Sequence, residues 1–217
     1  AKLSAKYNFT NRPQKAIQLL KSAGFKRGSD GIFRDKKGHK LSLKLNTVGG
    51  YTDWASENGI ISQDLAKIGI AVTPANLAGN THSADEQYGQ FQLDYEQPLG
   101  GPTPYYQYRQ LLDSANTAAI GKLASSNFER YSSKYVDKLF AQYAQTSSSK
   151  IQHAIIDKLQ AVMLQQVPVI PVLESVNWYE YDTSQITGWV TATNNYAAPA
   201  AYNFPDVAQV LLRLHLK

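Results

Sequence analysis

Four stretches of this chain repeat apolar residues at helical spacing, and shorter stretches alternate them with polar ones. In residues 11–24, NRPQKAIQLLKSAG, Ala16, Leu19, Leu20 and Ala23 fall on one face. Asn11 suits the cap, Pro13 the first turn and Gly24 the stop, so this window predicts a helix. Ile32 and Phe33 precede a turn at residues 36–38, after which Leu41, Leu43 and Leu45 alternate with polar neighbours. The two apolar runs read as a β-hairpin whose second strand is half-buried. A second helix is expected over residues 52–68, with Trp54, Ile60, Ile61, Leu65 and Ile68 on its inner face. Gly69 ends it, and IAVTPANL continues as a strand.

Residues 80–92 are polar and show no period, but Phe91, Leu93 and Tyr95 alternate, which predicts another short strand. A short helix follows over residues 105–112, then a loop at 125–131. Amphipathic helices are expected over 134–144 and 149–165, the second with Ile151, Ile155, Leu159, Val162 and Met163 on one side. VPVIPVLESVNWYEYD, residues 167–182, is β-branched but broken by Pro168 and Pro171, so it reads as a strand of edge or bulge character. The tail begins with the linker-like YAAPAAYNFP and ends in VLLRLHL, a strand that needs a partner sheet. This order of helices and strands predicts an α/β fold with a mixed sheet flanked by helices.

The 217 residues suffice for one large domain or two small ones, and 43% hydrophobic with 18% charged residues is an ordinary globular composition. The net charge is +5, yet Lys and Arg are spread along the chain apart from a cluster at residues 36–40. That is a solvated surface, and no nucleic-acid partner is expected. The absence of cysteine excludes a disulfide framework, a thiol nucleophile and a Cys-based zinc site. No apolar run approaches the roughly 20 residues that span a bilayer. No signal peptide opens the sequence, and its first residues read as the start of an excised domain.

Candidate chemistry is sparse. None of His39, His82, His153 and His215 has a partner at a convincing metal-ligand spacing; the nearest case, His153 with Asp157 four residues on, reads as a surface pair. No serine sits in a nucleophile elbow. VGGYTDW places two glycines in a strand-to-helix turn without the rest of a phosphate loop. Asp94 and Glu96 alternate on a strand and are expected to point to opposite faces. No cofactor and no metal are expected. A hydrolase would need a carboxylate pair such as Asp94 with Asp113 or Glu129, and a protein-interaction module is a further alternative. Aromatics are more informative: there are 14 Tyr against 7 Phe, and Tyr95, Tyr105, Tyr106 and Tyr108 surround GGPTPYYQY, with NWYEYD as a second cluster. Tyrosine is favoured where an apolar body packs and a polar tip stays wet, as in ligand clefts.

Several segments together resemble one family. KAIQLLKSAGFKRGSDGIFRDKKGHKLSLKL, ISQDLAKIGIAV, the long stretch from YSSKYVDKLF to QQVPVIPV, and ITGWV occur in the order seen in the C-terminal half of extracytoplasmic solute-binding proteins of peptide-type ABC importers (solute-binding family 5, the oligopeptide, dipeptide and nickel group). The resemblance implies a non-catalytic, cofactor-free receptor of two hinged lobes that delivers an oligopeptide-like solute to membrane permease subunits. Residues 1–193 would be the second-lobe ligand-binding domain, and 194–217 would return toward the absent first lobe. That first lobe would carry the export signal, so the protein is expected outside the cytoplasm, anchored through its N-terminal part.

YEQPLGGPTPYYQY resembles the family's cleft-lining loop, which makes Tyr95, Glu96, Gln97, Pro98, Leu99, Gly100, Tyr105 and Tyr106 the expected ligand-binding residues. Peptide-binding members hold a Trp here, then, three residues on, an Asp that pairs with the peptide amine. Tyr95 and Pro98 fall at those places. Proline offers no charge to an ammonium, which brings in an oligosaccharide as the second ligand class.

Overall fold

The structure, a computed structural model, describes residues 11–98, 101, 103–173, 179–200 and 206–217. It divides into two compact units, residues 1–97 with 118–128, and residues 98–117 with 129–217.

In the first unit Pro13 opens helix α1 (Pro13–Ser22). The residue at the N-cap is Arg12 rather than Asn11, and no side chain caps it. The expected apolar face is covered only in part: Ala16 and Leu20 are half-buried, while Leu19 and Ala23 are exposed. Strands β1 (Lys26–Arg27) and β2 (Phe33–Arg34) pair antiparallel. The hairpin predicted between residues 32–33 and 41–45 survives only as a bridge between Arg34 and Lys40. Strand β3 (Ser42–Val48) instead takes parallel partners on both sides: β4 (Ala71–Leu77) along its whole length and β5 (Leu93–Asp94) through Leu45 and Asn46. The sheet order β4-β3-β5 makes β3 central. A central parallel strand is covered on both faces, so Leu45, Asn46 and Thr47 are all buried where alternation predicted a half-buried strand.

Helix α2 (Thr52–Lys67) connects β3 to β4, and its Ser62 hydroxyl donates to the Val72 carbonyl at 2.6 Å. Its inner face departs from the pattern: Ile60 is 59% exposed and Asn58 is fully buried. The helix stops where the N–H of Ile70 reaches the Leu65 carbonyl and the N–H of Gly69 reaches that of Ala66, with Gly69 at φ 87. Helix α3 (Gly79–Tyr88), in a region that showed no period, joins β4 to β5. Its buried residues are His82 and Glu86, four apart, so the helix turns a polar face inward and leaves no apolar period to read.

The second unit packs α4 (Pro104–Leu112), α5 (Lys134–Ala144) and α6 (Ser149–Gln166) close to their expected bounds. Leu112, Val136, Leu139, Phe140, Ile155, Leu159 and Val162 form its core. Ile151, expected on the inner face of α6, is exposed. Beyond α6 the expected strand is absent among the described residues: 167–173 carry no strand and 174–178 lie outside the description. Val167 takes φ 48, and Pro168 and Pro171 have no N–H for a ladder. The apolar tail also divides differently: Val210 and Leu211 lie in helix α7 (Asp206–Leu211). Only strand β7 (His215–Leu216) pairs, antiparallel with β6 (Ile186–Thr187). Among the described residues no helix is long and apolar enough to cross a membrane.

Candidate functional site

The first unit runs from β3 to β4 on one side of the sheet order and then to β5 on the other. In open α/β sheets a crevice opens outside the carboxyl ends of strands at such a reversal, because neighbouring connections diverge there. Two chain segments leave at that place. After β3 comes Gly49–Gly50–Tyr51, leading into α2; after β5 come Tyr95, Glu96 and Gln97. The Tyr95 N–H donates to the Asn46 carbonyl at 2.9 Å, and the Thr47 hydroxyl donates to the Tyr95 carbonyl at 3.3 Å, which pins the second segment to the strand end.

An aromatic row spans the two segments. Tyr51 and Trp54 rings are 5.1 Å apart, and Trp54 meets Tyr95 edge-on at 5.4 Å. Tyr51 is exposed, while Trp54 and Tyr95 are half-buried. The Tyr95 hydroxyl donates to the Glu57 carboxylate. Burial and that carboxylate push the Tyr95 pKa up to about 12, so the phenol stays neutral. Trp54 and Tyr51 were not among the expected site residues. The signal that marks them is GGYTDW, where two glycines place the first turn of α2 at the strand end.

The expected residues of the second unit sit in a different setting. Pro98 is half-buried, and Leu99, Gly100 and Pro102 lie outside the described residues. Tyr105 stacks on Tyr143 with centroids 4.2 Å apart and planes at 11°, and touches Phe140 edge-on at 5.8 Å. Tyr105 is thus tied into the helix core, and burial raises its pKa. Tyr106, edge-on to Tyr105, is 42% exposed. Gly101 comes so close to Tyr106 that a Cβ at Gly101 would lie 2.5 Å from the tyrosine Cβ, which explains the glycine before this helix. Asp113, offered above as half of a hydrolytic pair, is held by Arg109 at 3.0 Å and accepts from the Ala115 N–H.

Four ionisable residues gather elsewhere in the first unit. His82 Nε2 is 3.1 Å from Asp94 Oδ1, and His82 Nδ1 is 3.6 Å from Glu86 Oε2 and 3.7 Å from Glu96 Oε2. This corrects two expectations. His82 does have a carboxylate at helical spacing, in Glu86. Asp94 and Glu96 do not diverge, because β5 ends at Asp94 and residue 96 is free of the strand's alternation. Burial, then the charges of Glu96 and Asp94, push Glu86 up to about 9. Burial also raises Asp94 and Glu96. A shallow open depression bounded by Lys44, Asn46 and residues 89–92 contains none of the expected site residues.

Residues 1–119 match the family described as bacterial extracellular solute-binding proteins, family 5 Middle. A probable ABC transporter-binding protein from Deinococcus radiodurans is 37% identical over 76 residues, which is 35% of this chain and 12% of that protein. Among solved structures, the periplasmic oligopeptide-binding protein of an oligopeptide ABC transporter from Thermotoga maritima, with mannohexaose bound, is 24% identical with a TM-score of 0.81. The match covers 100% of this chain and 41% of that one. The periplasmic binding protein MelB from Agrobacterium fabrum, in complex with stachyose, is 18% identical with a TM-score of 0.62, over 74% of this chain and 25% of its own. This chain spans less than half the length of each of these relatives.

Proposed function

Because the chain belongs to the bacterial extracellular solute-binding proteins of family 5, we propose that it is the second lobe of an ABC-importer receptor that binds an oligosaccharide and delivers it to membrane permease subunits. The observation that carries this reading is the aromatic row Tyr51–Trp54–Tyr95 at the carboxyl ends of β3 and β5. Flat aromatic faces stack on the apolar faces of sugar rings, and neighbouring amide and hydroxyl groups hydrogen-bond the rim. In the first unit Gln97 would supply an amide to hydrogen-bond the sugar rim beside Tyr95, while Glu96 turns its carboxylate to His82. In the second unit Pro98, Leu99, Gly100, Tyr105 and Tyr106 contribute contacts of their own, with Tyr106 presenting the most open ring. Residues 194–217 return toward the first lobe, which carries the export signal and anchor. The protein works outside the cytoplasm and catalyses nothing.

The choice of sugar over peptide rests on Pro98 and Glu57. Pro98 stands where peptide receptors of this family place an acid, and Glu57 already accepts from Tyr95. A proline offers an incoming ammonium no charge, and a desolvated charge without a partner is costly. The oligopeptide reading is favoured by the Thermotoga protein, which is named as oligopeptide-binding but holds mannohexaose.

Calorimetry of the two-lobed protein against manno-oligosaccharides and unblocked tri- to pentapeptides tests both readings. Saturable binding of the sugars, weakened about tenfold or more by Trp54→Ala and by Tyr106→Ala, is expected. Binding of peptides alone overturns the ligand class. Unchanged affinity in both variants overturns the site.

A further inference from the structure

Helix α3 and the end of β5 bring one imidazole and three carboxylates together. One ligand atom from each of His82, Glu86, Asp94 and Glu96 lies within 4.8 Å of all the others. We propose that this cluster is a binding site for one divalent transition-metal ion of the zinc or manganese class.

Spacing is the first support. Donors held about 2.0–2.2 Å from an ion stand roughly 3.3–4.4 Å from one another, and the four ligand atoms, one per residue, lie within 4.8 Å of one another. His82 now faces Asp94 with Nε2 and Glu86 and Glu96 with Nδ1, so small side-chain rotations bring the carboxylates round the one nitrogen that binds. The second support is independent of the acidic grouping. His82 is 2% exposed, and its Nε2 is buried without a hydrogen bond. Asp94 Oδ1, 3.1 Å away, is likewise buried without one. The two stand at ion-pair distance but out of hydrogen-bond alignment, so each keeps a lone pair that a shared cation can take. Burial of a polar atom with no partner is otherwise costly.

The donor set indicates the class of ion. One nitrogen and three carboxylate oxygens suit Zn²⁺ or Mn²⁺, whereas Mg²⁺ and Ca²⁺ favour all-oxygen shells. Three carboxylates offset the ion's charge, and Glu96, with its side chain 38% exposed, gives the site an entrance. The scaffold is held in place from behind: Asn46 Nδ2 donates to Asp85 on α3 at 3.2 Å, and Asn46 pairs with Asp94 in the sheet. None of the aromatic row supplies a ligand, so metal binding and solute binding fail separately.

The test is calorimetry and thermal melting of the chelator-treated, dialysed chain with ZnCl₂, MnCl₂, MgCl₂ and CaCl₂. One equivalent of Zn²⁺ or Mn²⁺ should bind with micromolar or tighter affinity and raise Tm by several degrees. Asp94→Asn and Glu96→Gln should each weaken binding tenfold or more; Glu96 is exposed, so its variant folds. In the metal-free form Glu86→Gln should melt no lower than the parent, because burial already keeps the Glu86 side chain neutral there and Gln matches it in shape, yet it should lose the metal-dependent rise. His153→Gln, on the exposed face of α6, should bind as the parent does. The proposal is overturned if neither transition ion binds saturably, if Asp94→Asn and Glu96→Gln bind as the parent does, or if Ca²⁺ or Mg²⁺ binds more tightly than both.

Discussion

Trp54 shows what a single position leaves open. By spacing it belongs with Ile61, Leu65 and Ile68 on the inner face of α2, and it is half-buried as that spacing asks. Its ring, however, meets Tyr51 and Tyr95 at the strand ends. Helical period says which side a residue faces but not what covers it. Asn58 makes the same point from the other direction: it is fully buried in α2 while Ile60 faces out. Tyr95 was legible as a site candidate, but its partner was not, since Glu57 lies 38 positions away. Tyr95→Phe keeps the edge contact with Trp54 and leaves Glu57 without its donor. A loss of about 1.5–3 kcal/mol in urea unfolding is expected, the usual worth of a hydrogen bond to a charged group. An unchanged midpoint would mean that Glu57 is fully served by water.

At the scale of elements, legibility followed how local the determinant is. The bounds of α5 and α6 came from strong apolar periods and were close to the observed ones. Helix α3 was invisible because its inner residues are His82 and Glu86 rather than Leu or Ile. The predicted hairpin failed because β3 finds more pairing with β4 and β5 than with the short run at residues 32–33. The stop of α2 was legible, and its cost can be measured. At Gly69, φ is 87 and an added Cβ would meet the fully buried Phe33 ring at 2.7 Å and the Gly31 carbonyl at 2.9 Å. Gly69→Ala should cost about 2–3 kcal/mol, from left-handed strain plus overpacking, read as a lower chemical-denaturation midpoint at unchanged m-value. A neutral substitution would show that the α2–β4 turn can shift.

For the molecule as a whole, one buried acid gives stability a pH dependence. Burial pushes Glu129 from 4.5 up to about 7, only partly opposed by a backbone hydrogen bond and by the adjacent Arg130 charge. The folded chain then holds a proton that the unfolded chain releases near pH 4.5, so this group's contribution falls as pH rises from about 4.5 to 7 and is level above that. Glu129→Gln should remove that fall. The difference between parent and variant across the window should be about 1–3 kcal/mol in denaturant titrations at pH 5 and pH 8. Parallel pH profiles would show that Glu129 titrates normally in the fold.

By itself, the chain's order of apolar runs, glycines and prolines determined the α/β class, most helix bounds, the stops of α1 and α2 and the place of the aromatic loop. These depend on neighbours within a few positions, where period and turn chemistry act. Tertiary structure alone decided that β3 is central and parallel and that Tyr105 is committed to Tyr143 while Tyr106 stays open. It also decided that Trp54 joins Tyr95 and that His82 gathers Glu86, Asp94 and Glu96. Several of the contacts that set this geometry join residues some 40 to 50 positions apart, such as Asn46 with Asp85 and Thr47 with Tyr95. No local pattern encodes such pairs, because they exist only once the sheet has brought its strand ends together.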